Sequence, residues 1–531
     1  MRKIYLLAVL GMIYAGVGAQ QWNWAEPVGK QFQSDYKPRV RTNNAGDLFT
    51  TATFFGFGRI GDTVFYSDTS FYWNRGNYVA RLNNAGQLIW AQFIGGQNTF
   101  LIDLSTDNNN NAYVLGHYAI DLLFSDTSLT GNGIFIAAFG PTGSRLWVKT
   151  YAQSANWGNC IANDNNNNLF YAHSGMYGQW TIRKIAPADG SDIWLRSDSC
   201  QGTIRDIRYD SQNNLYLAGS FGGDIFKINN TVYYQDTGYF ASTFLVKMNT
   251  AGTILDVEIV RGAVASELEL DNQNNIYLTG TFYEKMKVRQ ISFTTDTCIP
   301  NNCEEYFMAK LNTQGACSWA RKMKDEGLWQ GGIDVASNGD LYYCGSFNGT
   351  LQFDNVALSE AQVRDAVFIC KFSPGGVAQW AIKNDGGYMA DCFASDLAFS
   401  ESKAIYLSGN FHNYYDVCWF GNDTLPYTGF DTHIFLAKMT DAQVTGTVQL
   451  IKAQGGLEVY PNPTSGIITI GAGSTSPGAR IEIYDFLGNS VLETELHTSH
   501  QVIDLRGLPA GVYFLQLRTP NGKLTRKIVK E

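Results

Sequence analysis

NNLYLAGSF, residues 213–221, is a polar turn followed by a short apolar run that ends in Gly, Ser and Phe. The same landmark recurs along the chain, with its central aromatic residue at Phe49, Tyr113, Phe170, Tyr216, Tyr277, Tyr342 and Tyr406. Neighbouring copies are 46 to 65 residues apart. A repeat of this length predicts one supersecondary unit per copy rather than a single large core.

A second landmark follows in each copy, as in YFMAKLNTQGACSWA, residues 306–320. Two apolar runs joined by a tight Asn/Gly turn predict a β-hairpin. Each copy thus supplies about four strands, which is typical of a propeller blade. We predict an all-β chain with a seven-bladed β-propeller. A tandem array of small sandwiches is the alternative, but one copy is too small to cover its own sheet faces.

The seventh copy lacks its final Trp strand, and the N-terminal region contains a matching segment. In WNWAEPVG, residues 22–29, Trp24, Ala25 and Val28 match the Trp strand at residues 90–94. We therefore predict that residues 22–29 complete the seventh blade and close the ring, which removes two exposed sheet edges.

The whole pattern, an Asn-rich turn, Tyr-x-x-Gly-x-Phe, and then Phe-x-x-Lys with a downstream Trp, resembles the bacterial β-propeller repeats called SBBP repeats. The resemblance covers roughly residues 22–445. The third copy departs from it, because FYAHS replaces the Tyr-x-x-Gly element. The resemblance implies the fold more than a function.

Composition narrows the class of protein. The 531 residues are 45% hydrophobic and 16% charged, with a formal net charge of −9. Nucleic-acid binding needs a basic face, so this charge argues against it.

The first 19 residues read as a signal peptide: Arg2 and Lys3 precede an apolar stretch that ends in small residues. We expect cleavage between Ala19 and Gln20. A membrane anchor is the alternative, but it needs about 20 apolar residues. No later segment is predicted to span a bilayer.

If the protein is exported, its nine cysteines could form disulfides, since disulfides persist in oxidising compartments. Cys298 and Cys303 could close a small ring, and Cys344 and Cys370 lie on strands predicted to be neighbours. Sequence alone does not fix connectivity. The alternative is that several cysteines are small buried hydrophobic residues.

Propeller geometry places the long loops on one face, opposite the short Asn-rich turns. These loops carry aromatic residues beside Asn and Asp, a combination suited to sugar recognition. The candidate ligand contacts are Tyr72, Trp73, Tyr233, Tyr234, Tyr414, Tyr415 and Trp419. The alternative is an extra hairpin that packs on each blade.

The Asn-rich turns, such as DNNNN at residues 107–111, also raise the possibility of calcium. Each turn offers one Asp, whereas calcium sites use several oxygen ligands. Turn formation explains the composition better, because Asn and Asp tolerate left-handed backbone angles. We therefore expect no metal or other cofactor, with calcium as the alternative.

No catalytic residue is predicted. The six His occur without HExxH, and GxSxG and P-loop motifs are missing. Acids in the predicted innermost strands could cluster near the channel, but their similar repeat positions favour structural hydrogen bonds. These acids are Asp103, Asp206, Asp334 and Asp396.

The last 75 residues do not contain the repeat landmarks. LEVYPNPTSGIITI, residues 457–470, begins a segment of about seven short strands, typical of a small Ig-like β-sandwich. We predict a signal peptide at 1–19, the propeller at 20–445, a linker at 446–456 and this domain at 457–531.

The motifs YPNPxxG, IYDxxGxxV, LPAGVYFL and a terminal KIVK resemble the type A C-terminal sorting domain of type IX secretion substrates. The resemblance assigns the sorting motif to Pro461, Asn462, Pro463, Gly466, Asp485, Gly488, Leu508, Pro509, Gly511, Tyr513 and Lys527. It implies passage through the periplasm and across the outer membrane of a Gram-negative bacterium. It also implies contact with the secretion machinery and its sortase-like protease, and either attachment to surface lipopolysaccharide or release.

For the cargo, we predict a non-catalytic binding or adhesion protein that uses the long-loop face to hold a glycan or a protein. The alternative is a polysaccharide-active enzyme with a site at the mouth of the propeller channel.

Overall fold

The computed structural model describes residues 20–531 with several gaps. The gaps are 32–36, 44, 71–73, 153–158, 176–178, 230, 235, 237, 296–303, 324–327, 361–363, 387–389, 414–416, 427–430, 442–456, 461, 473–479, 486–489, 497–499 and 520–521. Regular structure in the described residues is β-strand throughout, which confirms the all-β prediction. Within them, no helix is long and apolar enough to cross a membrane.

Internal contacts divide the chain into two units, Met1–Gln449 and Leu450–Glu531. The predicted signal peptide and linker lie outside the described residues, and the predicted domain limits stay predictions.

In the first unit, the described strand pairings form seven groups of four antiparallel strands, here called blades 1 to 7; some groups are joined in larger sheets. Chain order begins with β1 (Trp22–Gln31). Blade 1 contains β2 (Arg39–Thr42), β3 (Leu48–Phe54), β6 (Asn74–Leu82) and β7 (Leu88–Gln97), with a hairpin of β4 (Phe57–Ile60) and β5 (Thr63–Tyr66). Blade 2 contains β8 (Phe100–Thr106), β9 (Ala112–Leu123), β10 (Ser128–Phe139) and β11 (Arg145–Tyr151). Blade 3 contains β12 (Asn159–Asn163), β13 (Leu169–Ser174), β14 (Gln179–Ile185) and the first part of β15 (Asp192–Tyr209).

The remaining blades follow the same order. Blade 4 contains the rest of β15, β16 (Leu215–Ile228), β18 (Ser242–Met248) and the first part of β19 (Ile254–Leu270), with β17 (Thr231–Tyr234) paired to β16. Blade 5 contains the rest of β19, β20 (Ile276–Val288), β22 (Glu304–Leu311) and β23 (Cys317–Met323), with β21 (Ile291–Thr294) paired to β20. Blade 6 contains β24 (Trp329–Val335), β25 (Leu341–Phe347), β28 (Ala366–Phe372) and β29 (Ala378–Lys383), with a hairpin of β26 (Gly349–Phe353) and β27 (Val356–Glu360). Blade 7 contains β31 (Ala390–Phe399), β32 (Ala404–Asn413), β35 (Thr432–Thr440) and β1, beside a small sheet of β30 (Asp385–Gly386), β33 (Cys418–Phe420) and β34 (Asp423–Leu425).

The landmark NNLYLAGSF shows why the blades stack. On β16, Leu215 and Leu217 pack into one apolar cluster, while Tyr216 and Ala218 pack into the next. Successive residues of a strand point to opposite faces of its sheet. A strand that is apolar throughout is therefore buried when other blades cover both faces of the sheet. The Gly is needed because a Cβ at Gly219 would lie 2.2 Å from the Phe244 ring.

The ring closes through both chain ends of the first unit. Each innermost strand packs against the next in the cyclic order β2, β8, β12, β15, β19, β24, β31 and back to β2. The outer strand of blade 7 is β1, which pairs with β35 and places Trp24 opposite Lys438 and Ala25 opposite Ala437. This confirms that the N-terminal strand completes the last blade.

A repeated Trp contact joins neighbouring blades. Trp90 Nε1 on blade 1 donates a hydrogen bond to the Pro141 carbonyl of blade 2 at 3.0 Å. A Cβ on Gly143, which has a φ of +85°, would lie 2.7 Å from that indole. Equivalent bonds run from Trp147 to Pro187, from Trp194 to Thr250 and from Trp319 to Pro374. Trp24 occupies the same position against Gly86 of blade 1.

The predicted Cys344–Cys370 disulfide is wrong. The two residues lie on paired strands, but Cys344 is opposite Ile369 and Cys370 is opposite Tyr343, so their side chains point to opposite faces of the sheet. Both thiols are free and buried, in different apolar clusters. The predicted Cys298–Cys303 pair lies outside the described residues.

The second unit contains two antiparallel sheets. One has β36 (Leu457–Tyr460), β37 (Ile467–Ala472) and β40 (His500–Asp504); the other has β38 (Arg480–Tyr484), β39 (Ser490–Glu495), β41 (Gly511–Thr519) and β42 (Gly522–Lys530). Ile468 and Ile470 of the first sheet share a core with Ile481 and Leu515 of the second. Alternating apolar residues on each strand therefore hold the two sheets together.

Candidate ligand-binding surfaces

The Asn-rich turns lie at the end of the propeller where each innermost strand turns into the second strand of its blade. At the first of them, Asp107 Oδ1 accepts the N–H groups of Asn109 and Asn111, both at 2.9 Å. Asn110 adopts a φ of +63°. Asp164, Asp210 and Asp271 head turns of the same construction.

The left-handed Asn of one turn also binds the turn of the preceding blade. Three such bonds are Asn108 N to Asn167 Oδ1, Asn165 N to Asn213 Oδ1 and Ser211 N to Asn274 Oδ1, at 2.8–3.0 Å. The Asn-rich sequence thus has a structural role in linking blades. No group of three acidic, His or Cys side chains suited to a metal is found among the described residues. Calcium binding stays a hypothesis.

Acids on the innermost strands connect one blade to the next. Asp103 Oδ2 accepts the N–H of Ile161 at 3.0 Å, and its Oδ1 accepts the N–H of Leu104. Three other acids accept backbone N–H groups in the same way. Asp206 accepts those of Leu268 and Ile207, Asp334 those of Phe399 and Val335, and Asp396 those of Val40 and Leu397. These carboxylates therefore take part in the backbone structure of the ring.

Three arginines neutralise part of the acidic channel. Arg41 bridges Asp103 and Asp396, with N–O distances of 3.1 and 2.8 Å. Arg208 Nε donates to Glu269 Oε1 at 2.6 Å, and the third cation is Arg39. Charged groups are costly to bury unless they are paired.

The acids outnumber the arginines in the channel, and burial raises the pKa of several of these carboxyl groups. Burial raises the pKa of Glu267 and of Glu269, although nearby arginines oppose the shift. Burial likewise raises the pKa of Asp206 and of Asp334. The channel therefore holds carboxyl groups that titrate closer to neutral pH than usual.

A pocket of about 400 Å³ opens at the turn end of this channel. Its walls include Arg208, Glu269 and Asp334, together with Asn163. Asn163 is buried, and its side-chain amide has no hydrogen-bond partner among the described residues. The pocket is polar, but Asp334 is committed to two backbone N–H groups and Glu269 to Arg208.

The opposite, long-loop end carries the additional hairpins β4–β5, β26–β27 and β33–β34, and the added strands β17 and β21. The exposed aromatic residues of the described propeller lie here: Phe57, Tyr66, Tyr234, Phe240 and Trp329. Trp329 opens the innermost strand of blade 6 opposite Ser346, which places it at the channel rim on this end. Tyr66 and Tyr234 are each 74% exposed, and Trp329 is 58% exposed.

Exposed large apolar residues at the turn end are aliphatic instead. They sit at the beginnings of outer strands: Ile89, Leu146, Ile193, Leu195, Leu255 and Val377. In the described propeller, the long-loop end therefore exposes aromatic residues together with aliphatic ones such as Val64 and Ile120, whereas the turn end exposes aliphatic ones.

Three of the predicted aromatic contacts are described. Tyr234 points to solvent, whereas Tyr233 is half-buried against Phe226 at a ring distance of 5.7 Å. Trp419 is half-buried on β33, opposite Asp385. Tyr72, Trp73, Tyr414 and Tyr415 lie outside the described residues.

The sequence prediction of ligand contacts did not include Phe57, Tyr66, Phe240 or Trp329. Trp329 was hidden because it begins an innermost strand rather than lying within a long loop. Phe240 lies in the same long loop as Tyr233 and Tyr234 and packs on Tyr283 of blade 5, with ring centroids 4.7 Å apart.

His117 and His173, on the second strands of blades 2 and 3, have structural surroundings. His117 stacks on Phe100 at a centroid distance of 5.0 Å. Burial lowers the pKa of His173 to about 4, so this imidazole is neutral at pH 7.

In the second unit, the first and last sorting motifs meet. Asn462 Nδ2 donates to the Lys527 carbonyl at 2.6 Å, and its Oδ1 accepts the N–H of Val529 at 2.8 Å. Gly466, with a φ of +131°, accepts the N–H of Leu505 through its carbonyl. A side chain at Gly466 would be strained and would lie 2.7 Å from Arg506.

The terminal motif forms its own turn. The Tyr513 hydroxyl donates to the Pro509 carbonyl at 2.7 Å, and Leu508 donates its N–H to the Leu505 carbonyl. Gly511 begins β41, and Asp485 follows β38. Pro461 and Gly488 lie outside the described residues.

Residues 458–531 match the family described as the secretion system C-terminal sorting domain. The chain carries a type IX sorting domain. This confirms the resemblance seen in the motifs, and it means that the protein is exported by the type IX system to the cell surface or the medium. The sorting domain therefore engages the secretion machinery.

Solved structures show remote similarity. A protein of unknown function from Bacteroides caccae is 10% identical, with a TM-score of 0.30, and the match covers 59% of this chain and 90% of that one. The Dos1 propeller is 8% identical, with a TM-score of 0.38 and coverage of 81% and 98%. PorZ, a surface component of the type IX secretion system of Porphyromonas gingivalis, is 11% identical, with a TM-score of 0.18 and coverage of 96% and 100%. No curated protein matches the chain.

Proposed function

We propose that the propeller is a non-catalytic surface protein that binds carbohydrate at its long-loop end. The observation that carries this proposal is the segregation of exposed aromatic rings, including Tyr66, Tyr234, Phe240 and Trp329, to that end. Exposed aliphatic residues lie at both ends, whereas the exposed aromatic residues of the described propeller lie at this end.

Aromatic rings suit this ligand because they offer a flat apolar surface for a sugar ring, and the Tyr and Trp side chains add a polar group. The rings are carried on hairpins and a strand start fixed to the blades, so little ordering is needed on binding. A surface protein delivered outside the cell meets polysaccharide there.

The test is a glycan array probed with the mature full-length protein. The variant Tyr234→Ala/Trp329→Ala is compared with Ile193→Ala/Leu255→Ala, which removes exposed apolar groups from the turn end. We expect the first variant to lose binding at least tenfold and the second to bind as the parent does. Binding retained by the first variant, or no glycan bound by the parent, would contradict the proposal.

The channel pocket supports a second candidate, a polysaccharide-active enzyme. The observation in its favour is that Glu269 and Asp334 line the pocket with pKa values raised by burial, as general acids require. The hydrogen bonds of these two side chains already give them a structural role, so we rank the enzyme below the binding protein. Release of reducing ends from a bound polysaccharide, abolished by Glu269→Gln in a folded protein, would favour the enzyme over the binding protein.

For delivery, we propose that the sortase-like protease of the secretion system removes the sorting domain and that the propeller is joined to surface lipopolysaccharide. Deleting residues 457–531 should leave folded propeller in the periplasm. Mass spectrometry of the surface form should show a C-terminus upstream of the sorting domain. Normal surface display of the truncated chain, or an intact C-terminus on the surface form, would contradict this proposal.

A further inference from the structure

Blade 7 contains two cysteines whose sulfur atoms are already close. Cys392 lies on β31 and Cys418 on β33, both are fully buried, and their Sγ atoms are 2.8 Å apart. A disulfide has an S–S length of about 2.05 Å, so bond formation needs the sulfurs to move together by about 0.8 Å. The two residues are 26 positions apart in sequence.

The pair joins two separate parts of the blade. β31 is an innermost strand, whereas β33 belongs to the small sheet beside the blade. That small sheet contacts the closing strand: Phe420 packs edge-on against Trp22 at 4.8 Å, and Asp423 Oδ2 accepts the N–H of Ala25 at 3.0 Å. A covalent bond here would fix the support on which β1 rests.

The export route supplies oxidising conditions. The sorting domain marks the protein as one that leaves the cytoplasm, and disulfides form and persist in the periplasm and on the cell surface. We propose that Cys392 and Cys418 are joined by a disulfide in the exported protein.

The reaction is a two-electron oxidation by thiol–disulfide exchange. The two S–H bonds of the pair and the S–S bond of a periplasmic disulfide oxidant break, and one S–S bond forms between Cys392 and Cys418. The two electrons and two protons pass to the oxidant, which leaves as a dithiol. Burial raises the pKa of the Cys392 thiol, and the reactive species is the thiolate. The bond therefore forms while the blade is folding rather than after its core has closed.

The other described thiols serve as internal controls. Cys160, Cys317, Cys344 and Cys370 are buried and free, and none of them contacts a second sulfur among the six cysteines whose side chains the structure describes. They should remain thiols in the same preparation in which Cys392 and Cys418 are linked.

Peptide mapping of the wild-type protein tests the proposal without a variant. The full chain, with its signal peptide, is exported to the periplasm, denatured with a thiol-alkylating reagent but no reductant, and digested with trypsin. Cleavage after Lys383, Lys403 and Lys438 gives one peptide with Cys392 as its only cysteine and another with Cys418 as its only cysteine. We expect these two peptides to be cross-linked and to separate on reduction, while Cys344 and Cys370 are alkylated. Alkylation of both Cys392 and Cys418 before reduction would overturn the proposal.

A second measurement asks whether the bond stabilises the fold. Addition of dithiothreitol during unfolding should lower the melting temperature of the wild-type protein by more than it lowers that of Cys392→Ser/Cys418→Ser. Chain produced in the cytoplasm without residues 1–19 should show both thiols alkylated and no response to the reductant. An equal response of the exported wild type and the double variant would contradict a stabilising bond at this pair.

Discussion

Blades 6 and 7 contain the same row of side chains but differ in how the chain supplies them. In blade 6, Tyr342 lies opposite Lys371 and Lys371 opposite Trp380, all within one continuous segment. In blade 7, Tyr406 and Lys438 are followed by Trp24, which comes from the other end of the unit. Both lysines lie over the Tyr ring, with Nζ 5.3 and 5.4 Å from the ring centroids.

The difference shows that a blade depends on which strands lie side by side and not on the connection between them. Formation of blade 7 nevertheless has an additional entropic cost, because pairing β1 with β35 closes a loop of about 400 residues. Loss of that pairing would expose the unpaired edges of β1 and β35.

Removal of the closing strand should have the largest effect. Deletion of residues 20–31 removes Trp22 and Val28 from the core together with the ladder to β35. Truncation of one buried Trp alone costs about 3–5 kcal/mol, and domains are stable by about 5–15 kcal/mol. We expect no cooperative thermal transition in circular dichroism. Deletion of residues 457–531, which belong to the other unit, is the control and should keep the transition; a folded propeller after the first deletion would show that β1 is dispensable.

Truncation of the Trp contacts should have the next largest effect. Trp24→Ala at the junction of blades 7 and 1 is compared with Trp319→Ala at the junction of blades 5 and 6. Each indole packs on the turn Gly of the next blade, Gly86 or Gly376. Both indoles are partly buried, so we expect each change to lower the free energy of unfolding in urea by less than the about 3–5 kcal/mol typical of a fully buried Trp. An unchanged midpoint for Trp24→Ala alone would mean that the seventh blade is not closed as described.

The strand order of the propeller could be predicted because the repeats are explicit. NNLYLAGSF fixes the second strand of its blade, and its Gly is required by the Phe244 ring. The match of Trp24 to Trp90 located the closing strand. The disulfide at Cys344 and Cys370 was wrongly predicted, since adjacency of strands does not specify register, and a shift of one residue reverses the face to which a side chain points.

The acids that link blades should have a smaller effect, and the closing junction should be the more sensitive one. Asp396→Asn weakens the bond to Val40 and the ion pair with Arg41, whereas Asp334→Asn affects only backbone bonds to Phe399 and Val335. We expect losses of about 1–3 kcal/mol, with Asp396→Asn the larger. Chemical denaturation measures both, and a larger loss for Asp334→Asn would contradict this ranking.

The pH dependence should be the smallest effect. The pKa values of Glu267 and Glu269 rise from 4.5 to about 7 in the folded chain, chiefly because burial disfavours the charged carboxylate. Between these values the folded protein keeps protons that the unfolded chain releases, so the contribution of these groups to stability falls as pH rises and becomes level above 7.

Melting temperatures of the parent and of Glu267→Gln/Glu269→Gln across this range measure the effect. The double variant should show a flatter decline with increasing pH than the parent does. Glu493→Gln, which changes a half-exposed carboxylate of the other unit, is the control and should follow the parent. A steeper decline in the double variant would contradict the assignment.

The candidate surfaces were less predictable than the fold. Loop length indicated the correct end of the propeller for exposed rings, and Tyr234 was found in this way. Loop length could not predict the exposure of Trp329, because that exposure depends on where β24 begins relative to the channel. The proximity of Cys392 and Cys418 depends on how the small β33–β34 hairpin folds against β31, which no spacing in the sequence specifies.

Native-state hydrogen exchange of β1 tests the closed ring most directly, because it compares the two blades within one molecule. Exchange measured by mass spectrometry on the exported protein reports the opening free energy of peptides from residues 22–31 and from residues 378–383, the outer strands of blades 7 and 6. If β1 is an integral strand of the ring, its amides paired with β35 will be protected to the same degree as those of β29. Rapid exchange of β1 beside a protected β29 would contradict the closed seven-bladed ring.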